Sequence, residues 1–212
     1  MIKVSTLTFN DLQTNTYILS DETNHCAIID PACKSENEKQ ILAHFIQDRA
    51  LHPEALWFTH LHFDHIYGAR FVIDTYNLRP MAAEEDIYLF ELNQRLTSLW
   101  GIMPPEPFDI KDFITEETPL TFGNSTLRAL LIPGHTAGGL AFVSDEDNIC
   151  FSGDSLFRIS LGRTDIGGTS EDALIDAIRT KLFALPDNTI VYPGHGPTTT
   201  IGDERHSNPY FL

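Results

Sequence analysis

Apolar and polar positions change period several times along the chain, and each change marks an element. Residues 2–9 (IKVSTLTF), 15–20 (NTYILS) and 26–30 (CAIID) are short alternating or β-rich runs split by the turn-rich pieces NDLQT and DETN, which predicts an antiparallel meander. Ser35 and Glu38 then have capping-box spacing, and Ile41, Leu42, Phe45 and Ile46 fall on one helical face, so a helix is predicted over 36–50. ALWFT (55–59) reads as a strand, ARFVIDTY (69–76) as a short helix packed on the sheet, and 84–100 as a further helix before Pro104, Pro105 and Pro107 force a loop.

The second half repeats the succession. Strands are predicted around LTF (120–122), STLRALLI (125–132), LAFVS (140–144) and NICFS (148–152), with a turn at Asp147-Asn148. Thr169 and Asp172 have the spacing of a cap for a helix over 170–185, with Leu174, Ile178 and Leu182 four residues apart. TIVYP (189–193) closes the pattern at Gly194-His195-Gly196. Two such successions predict an α/β architecture of two sheets with helices outside, spanning residues 1–212 as one domain.

Composition narrows the class. A chain of 212 residues with 42% hydrophobic and 21% charged residues can bury a full core. Its net charge of -16, with only 14 scattered Lys and Arg, repels a phosphate backbone and argues against nucleic acid as a partner. Cys26, Cys33 and Cys150 cannot form a fully paired framework and lie in no C-x-x-C motif, so they read as buried free thiols of a reducing compartment. MIKVSTLTFNDLQTN lacks the basic start and apolar run of a signal peptide, and no run approaches the ~18 apolar residues of a membrane span. The expected location is cytoplasmic, with no membrane partner.

The chemistry is concentrated in FTHLHFDHIYGA (58–69), where His60, His62, Asp64 and His65 occur within six positions. His135 follows ALLIPG, Asp154 follows NICFSG and His195 follows TIVYPG, so each candidate ends an apolar run beside Gly or Pro. Loops at the ends of several strands can converge on one point while the sheets hold them rigid. Imidazole and carboxylate are ligand types of zinc, iron and manganese, and a set without cysteine points to a catalytic metal site. His60 and His62 share a side of an extended segment, whereas the adjacent Asp64 and His65 cannot share that geometry, which predicts two metal ions with Asp154 as the bridge. His25, His44, His52 and His206 lack such neighbours and read as surface or helix residues.

THLHFDH, PGHT (133–136), SGD (152–154) and PGHG (193–196) together resemble the metallo-β-lactamase superfamily over essentially the whole chain. The resemblance implies a four-layer αββα sandwich with the metals at one edge of both sheets. SLFRISLGRTDIGG (155–168) is similar to the segment after the bridging Asp in glyoxalase II and its short single-domain relatives. Carried over, His60, His62 and His135 would bind one ion, Asp64, His65 and His195 the other, and Asp154 both. Asp64 and Asp154 are thereby the carboxylates assigned to catalysis. Zinc-dependent β-lactamases usually carry a Cys in the second site and often lack the His after the Asp, which argues against lactam hydrolysis as the main activity. The resemblance to glyoxalase II stops after His195, where the tail resembles the ending of the short hydrolases rather than a basic, glutathione-binding helical region.

The implied function is metal-dependent hydrolysis, with a hydroxide bridging two divalent ions, zinc first and iron or manganese as alternatives, attacking the carbonyl of a small acyl thioester such as S-lactoylglutathione. The alternative is a mononuclear iron persulfide dioxygenase, which shares the motifs and would place one iron on His60, His135 and Asp154. Asp30, at the end of CAIID, reads equally as a carboxylate orienting a ligand imidazole or as a turn residue before Pro31. Arg163 and Asp165 read as partners of each other or of a neighbouring loop or, for Arg163, as a substrate anchor.

Overall fold

The structure, a computed structural model, describes residues 1–167 and 170–212. Strands β1 (Lys3–Phe9), β2 (Thr14–Ser20) and β3 (His25–Ile29) form the expected antiparallel meander. Helix α1 (Glu36–Asp48) follows, its N-terminus closed by the Ser35–Glu38 capping box, and leads into β4 (His52–Trp57), parallel to β3. Helix α2 (Ala69–Tyr76) coincides with ARFVIDTY. Two short parallel strands that the periodicity does not predict, β5 (Pro80–Ala82) and β6 (Asp112–Phe113), complete a six-stranded sheet in the order β1 to β6. The helix expected over 84–100 is broken into a 3-10 turn at Glu84–Asp86 and α3 (Leu89–Trp100), which ends at Gly101 in the left-handed region.

The second sheet is assembled from β7 (Leu120–Phe122), β8 (Ser125–Leu131), β9 (Leu140–Ser144) and β10 (Ile149–Gly153), all antiparallel neighbours. A two-stranded hairpin, β11 (Leu156–Phe157) and β12 (Ser160–Leu161), stands apart. Helix α4 (Glu171–Ala177) starts at Ser170, whose hydroxyl accepts from the Ala173 amide, and continues as a π-helical turn over Ile178–Leu182. The Thr169 cap expectation lies outside the described residues. Strand β13 (Ile190–Pro193) runs parallel to β10, and β14 (Thr199–Thr200) with helix α5 (Ile201–Ser207) ends the sheet and the fold.

Both sheets are covered on both faces, which is why their central strands read as continuous apolar runs. Along β2 and β3, Tyr17, Leu19, Ala27 and Ile29 face the other sheet, packing with Trp57, Phe122, Phe142 and Phe151. The alternate residues Ile18, Cys26 and Ile28 face an outer layer built with Leu42 and Ile46 of α1, Val72 of α2 and Leu89 of α3. Beyond the second sheet, Ala141, Val143, Cys150 and Val191 pack on Leu174, Ile178, Leu182 and Ile201. These three interfaces make the αββα sandwich that the resemblance implies. Among the described residues, no helix is long and apolar enough to cross a membrane.

Candidate metal centre

Because β3 and β4 are parallel, their C-terminal ends lie side by side, and the chain leaves β4 directly into Thr59 and the histidine-rich segment. The ends of β8, β10 and β13 in the second sheet deliver His135, Asp154 and His195 to the same edge. Gly194 has no room for a Cβ, which would strike Asp154 Oδ1 and the His65 ring, so glycine is what lets β13 end against Asp154.

All seven sequence-selected side chains meet here. His60, His62 and His135 form one buried triad, with His62 Nδ1 at 2.9 Å and His60 Nε2 at 3.3 Å from His135 Nε2. A tetrahedral ion with Zn–N bonds of about 2.0–2.1 Å sets its ligand atoms about 3.3 Å apart, so these separations fit one small ion. Asp64, His65 and His195 form a second triad, in which Asp64 Oδ2 lies 3.6 Å from His65 Nε2 and 3.3 Å from His195 Nε2. Asp154 joins them: Oδ1 is 3.4 Å from His65 Nε2, while Oδ2 is 3.6 Å from His135 Nε2 and 3.4 Å from His195 Nε2. His65 Nε2 and Asp154 Oδ1 are buried without a hydrogen-bond partner among the described residues. Such polar atoms are costly unless a cation receives them, so the donor set fits two divalent ions.

The outward nitrogens explain the orientation of every ring. Thr59 gives its hydroxyl proton to Asp30 Oδ2 at 2.5 Å, so its oxygen accepts from His60 Nδ1 at 3.1 Å. His65 Nδ1 donates to Asp30 at 3.0 Å, His135 Nδ1 to the Arg163 carbonyl at 2.7 Å and His195 Nδ1 to the Leu12 carbonyl at 3.0 Å. His62 is turned the other way, with Nε2 3.2 Å from the Ile166 carbonyl and Nδ1 facing inward. With ions bound, each imidazole would keep its proton on the outward nitrogen and present the inward lone pair as a ligand. Asp30, His60 and His65 also lie close enough to form a triad, but Asp30's oxygens are taken by the Thr59 amide, the Thr59 hydroxyl and His65. Asp30 is therefore an orienting group, and its φ of 49° makes the turn before Pro31 as well.

Charge divides the triads. Burial, with the neighbouring histidines, holds His60 well below the usual imidazole range, and burial also lowers His62 to about 4 and lowers His135. Burial opposes the charged form of His65 and His195 too, but Asp154 and Asp64 outweigh it, raising His65 well above the usual range and His195 to about 10. Desolvation likewise opposes ionisation of Asp64 and Asp154, and His65 and His195 overcome it so that both carboxyls are depressed.

Several supporting residues carry no sequence signal of their role. Asn10 Nδ2 donates to the Asp64 carbonyl at 3.0 Å, and Thr14 Oγ1 to Asp64 Oδ2 at 2.9 Å. Asp86, wholly buried and read only as part of a helix, ties two of the loops together. One carboxylate accepts from the Leu61 amide at 3.3 Å, the Thr136 hydroxyl at 2.9 Å and the Gly138 amide at 2.6 Å. Leu61 lies between His60 and His62, and Asn93 Nδ2 holds its carbonyl at 2.8 Å. Replacing Asp86 with alanine is expected to weaken binding at the His60–His62–His135 triad by about 10–100-fold. Metal titration should show this loss at the first triad with a smaller change at the second; equal weakening of both would assign Asp86 to general stability.

Arg163 is paired with Asp165 through two bonds of 2.7 and 2.8 Å, both side chains exposed, and its carbonyl holds His135. His44, His52 and His206 are exposed, and His25 pairs with Glu54.

Comparison with known proteins agrees with this geometry. Over 200 residues the chain is 33% identical to hydroxyacylglutathione hydrolase GloC of Haemophilus influenzae, covering 93% of this chain and 92% of that protein. Among solved structures, BLEG-1 B3 metallo-beta-lactamase superposes with a TM-score of 0.91 at 31% identity, covering 99% of this chain and all of the other. TTHA1623 in a di-iron-bound form superposes with a TM-score of 0.84 at 34% identity, covering 97% of this chain and 99% of the other. The sequence model of the metallo-beta-lactamase superfamily matches residues 9–195, which include every residue of both triads, and the chain belongs to that superfamily.

Proposed function

We propose that this protein is a binuclear metallohydrolase acting on acyl thioesters. The observation that carries the reading is the pair of triads joined by Asp154, because a mononuclear centre on His60, His135 and Asp154 would leave Asp64, His65 and His195 without work. Similarity to a hydroxyacylglutathione hydrolase supports a thioester as the reacting group. Zinc suits the imidazole-rich first triad, and the likeness to a di-iron-bound protein keeps iron, with manganese, as the alternative.

Divalent ions held by these residues would supply Lewis acidity and a nucleophile from water at neutral pH. The chain's own part is to hold the donors and to keep other nucleophiles out. Cys26, Cys33 and Cys150 are buried and burial pushes each thiol up to about 12, so none attacks a substrate at neutral pH. The cavity at the edge is lined by His62, Asp64, His135, Asp154 and His195. A thiolate leaving group, whose parent thiol has a pKa of about 8.5, needs little help from a general acid to depart.

A second reading rests on the likeness to BLEG-1: the same donors acting on a β-lactam amide. The deciding experiment is metal content of protein purified without chelator, followed by assays with S-lactoylglutathione and simple acyl thioesters, a chromogenic cephalosporin, and a persulfide under oxygen. About two ions per chain with thioester turnover is the expected result. Faster lactam turnover would replace the first reading with the second, and one iron with oxygen uptake would make the protein a dioxygenase.

A further inference from the structure

The walls of the reaction cavity carry a statement about the substrate that the metal donors do not. The cavity has a volume of about 420 Å³, and its lining beyond the donors is Leu12, Phe63, Trp100, Phe157, Ile166 and Arg163. Five of these are apolar. Leu12 and Trp100 are 52% and 47% exposed, although both belong to large apolar side chains, and Trp100 stands edge-on to Phe63 with ring centroids 5.9 Å apart. A side cavity of about 250 Å³ shares Leu12, Phe63 and Trp100 and runs on to Ile102, Tyr67 and Lys34.

The cations within reach are already engaged. Arg163 is held by both oxygens of Asp165, and Lys34 pairs with Asp11 at 2.9 Å while lying 5.3 Å above the Tyr67 ring. A tripeptide thiol such as glutathione brings two carboxylates, and among the described residues lining the two cavities both cations, Arg163 and Lys34, already have a carboxylate partner. An apolar arm instead covers two exposed side chains and gains from their burial.

We propose that the thioester's thiol arm is uncharged and apolar, aromatic or branched, and that Trp100, Phe63 and Leu12 form its subsite. This rests on the thioester reading above, yet it can be tested without turnover.

The test is calorimetric titration of the zinc-loaded protein with 2-phenylethanethiol and with glutathione. Both offer the same sulfur to the ions, so the difference between them reports the arm. The aromatic thiol is expected to bind at least about tenfold more tightly. Trp100→Ala should reduce that preference to about threefold or less while zinc content stays the same. Leu12→Ala, an exposed side chain whose carbonyl still holds His195, should reduce it in the same direction and serves if the tryptophan variant folds poorly. Glutathione binding equally well or better would overturn the proposal, most directly if Arg163→Ala or Lys34→Ala then weakened it. If no thioester is hydrolysed but the aromatic preference and its Trp100 dependence are found, the reaction assignment fails and the apolar subsite stands.

Discussion

Asp154→Ala is expected to lower turnover on the order of 10³-fold, in the range produced by removing a group that stabilises charge at a reacting centre. The same change should reduce metal content from about two ions per chain toward one. The reason is geometric: Asp154 is the carboxylate with an oxygen toward each triad, 3.6 Å from His135 Nε2 on one side and 3.4 Å from His65 Nε2 on the other. Its loss leaves His60, His62 and His135 with their outward hydrogen bonds intact, so the first triad should still bind. The second triad loses its link to the first, and Asp64 alone must then balance His65 and His195. The fold should survive, because Asp154 lies past the end of β10 and outside the three apolar interfaces. Circular dichroism and a melting curve on metal-free protein check that point. A folded, metal-poor variant with full activity would remove metals from the reaction altogether.

The parts of this site that could be read from the chain and those that could not differ in kind. His60, His62, Asp64, His65, His135, Asp154 and His195 stand out because each follows an apolar run and sits by Gly or Pro, so one-dimensional punctuation marks them. The groups that aim them do not stand out. Three of the acceptors, on Leu12, Arg163 and Ile166, are backbone carbonyls, which any residue provides. Asp86 is a third acidic residue in a run of three, and only the fold distinguishes it from its exposed neighbours Glu84 and Glu85.

The same contrast holds for the elements. The long central strands and α1 and α2 have enough residues for a period to show, whereas β5 and β6, with three and two residues, are defined by their neighbours. Helix α5 is polar in sequence and buries Ile201 together with Glu204, whose carboxylate is satisfied by Thr199, Asn208 and the Ile159 amide. Hydrophobic periodicity therefore misses it, although Thr200 and Asp203 have the spacing of its cap. At α4 the cap is Ser170, whose hydroxyl accepts from the Ala173 amide.

Metal removal should abolish activity, and the way the ions return should reveal the charge difference between the triads. In metal-free protein near pH 7, burial keeps His60, His62 and His135 neutral, with His62 Nδ1 and His135 Nε2 sharing a hydrogen bond of 2.9 Å. An ion entering there displaces almost no protons. His65 and His195 have the opposite disposition, since burial is outweighed by Asp154 and Asp64, and His195 stays protonated up to about 10. An ion entering the second triad must expel those protons. The sign follows: raised imidazole pKa values mean that protons compete with the second ion below the folded pKa, so its affinity rises with pH, the His195 proton ceasing to compete near 10. Calorimetry at pH 7 in buffers of different ionisation enthalpy should find about zero protons released with the first ion and up to about two with the second. The affinity of the second ion should then rise by as much as about 100-fold per pH unit, while that of the first stays nearly flat above pH ~6.5. Equal proton release in both steps would mean that the triads do not differ in charge, and that Asp154 and Asp64 do not hold His65 and His195 protonated when the ions are gone.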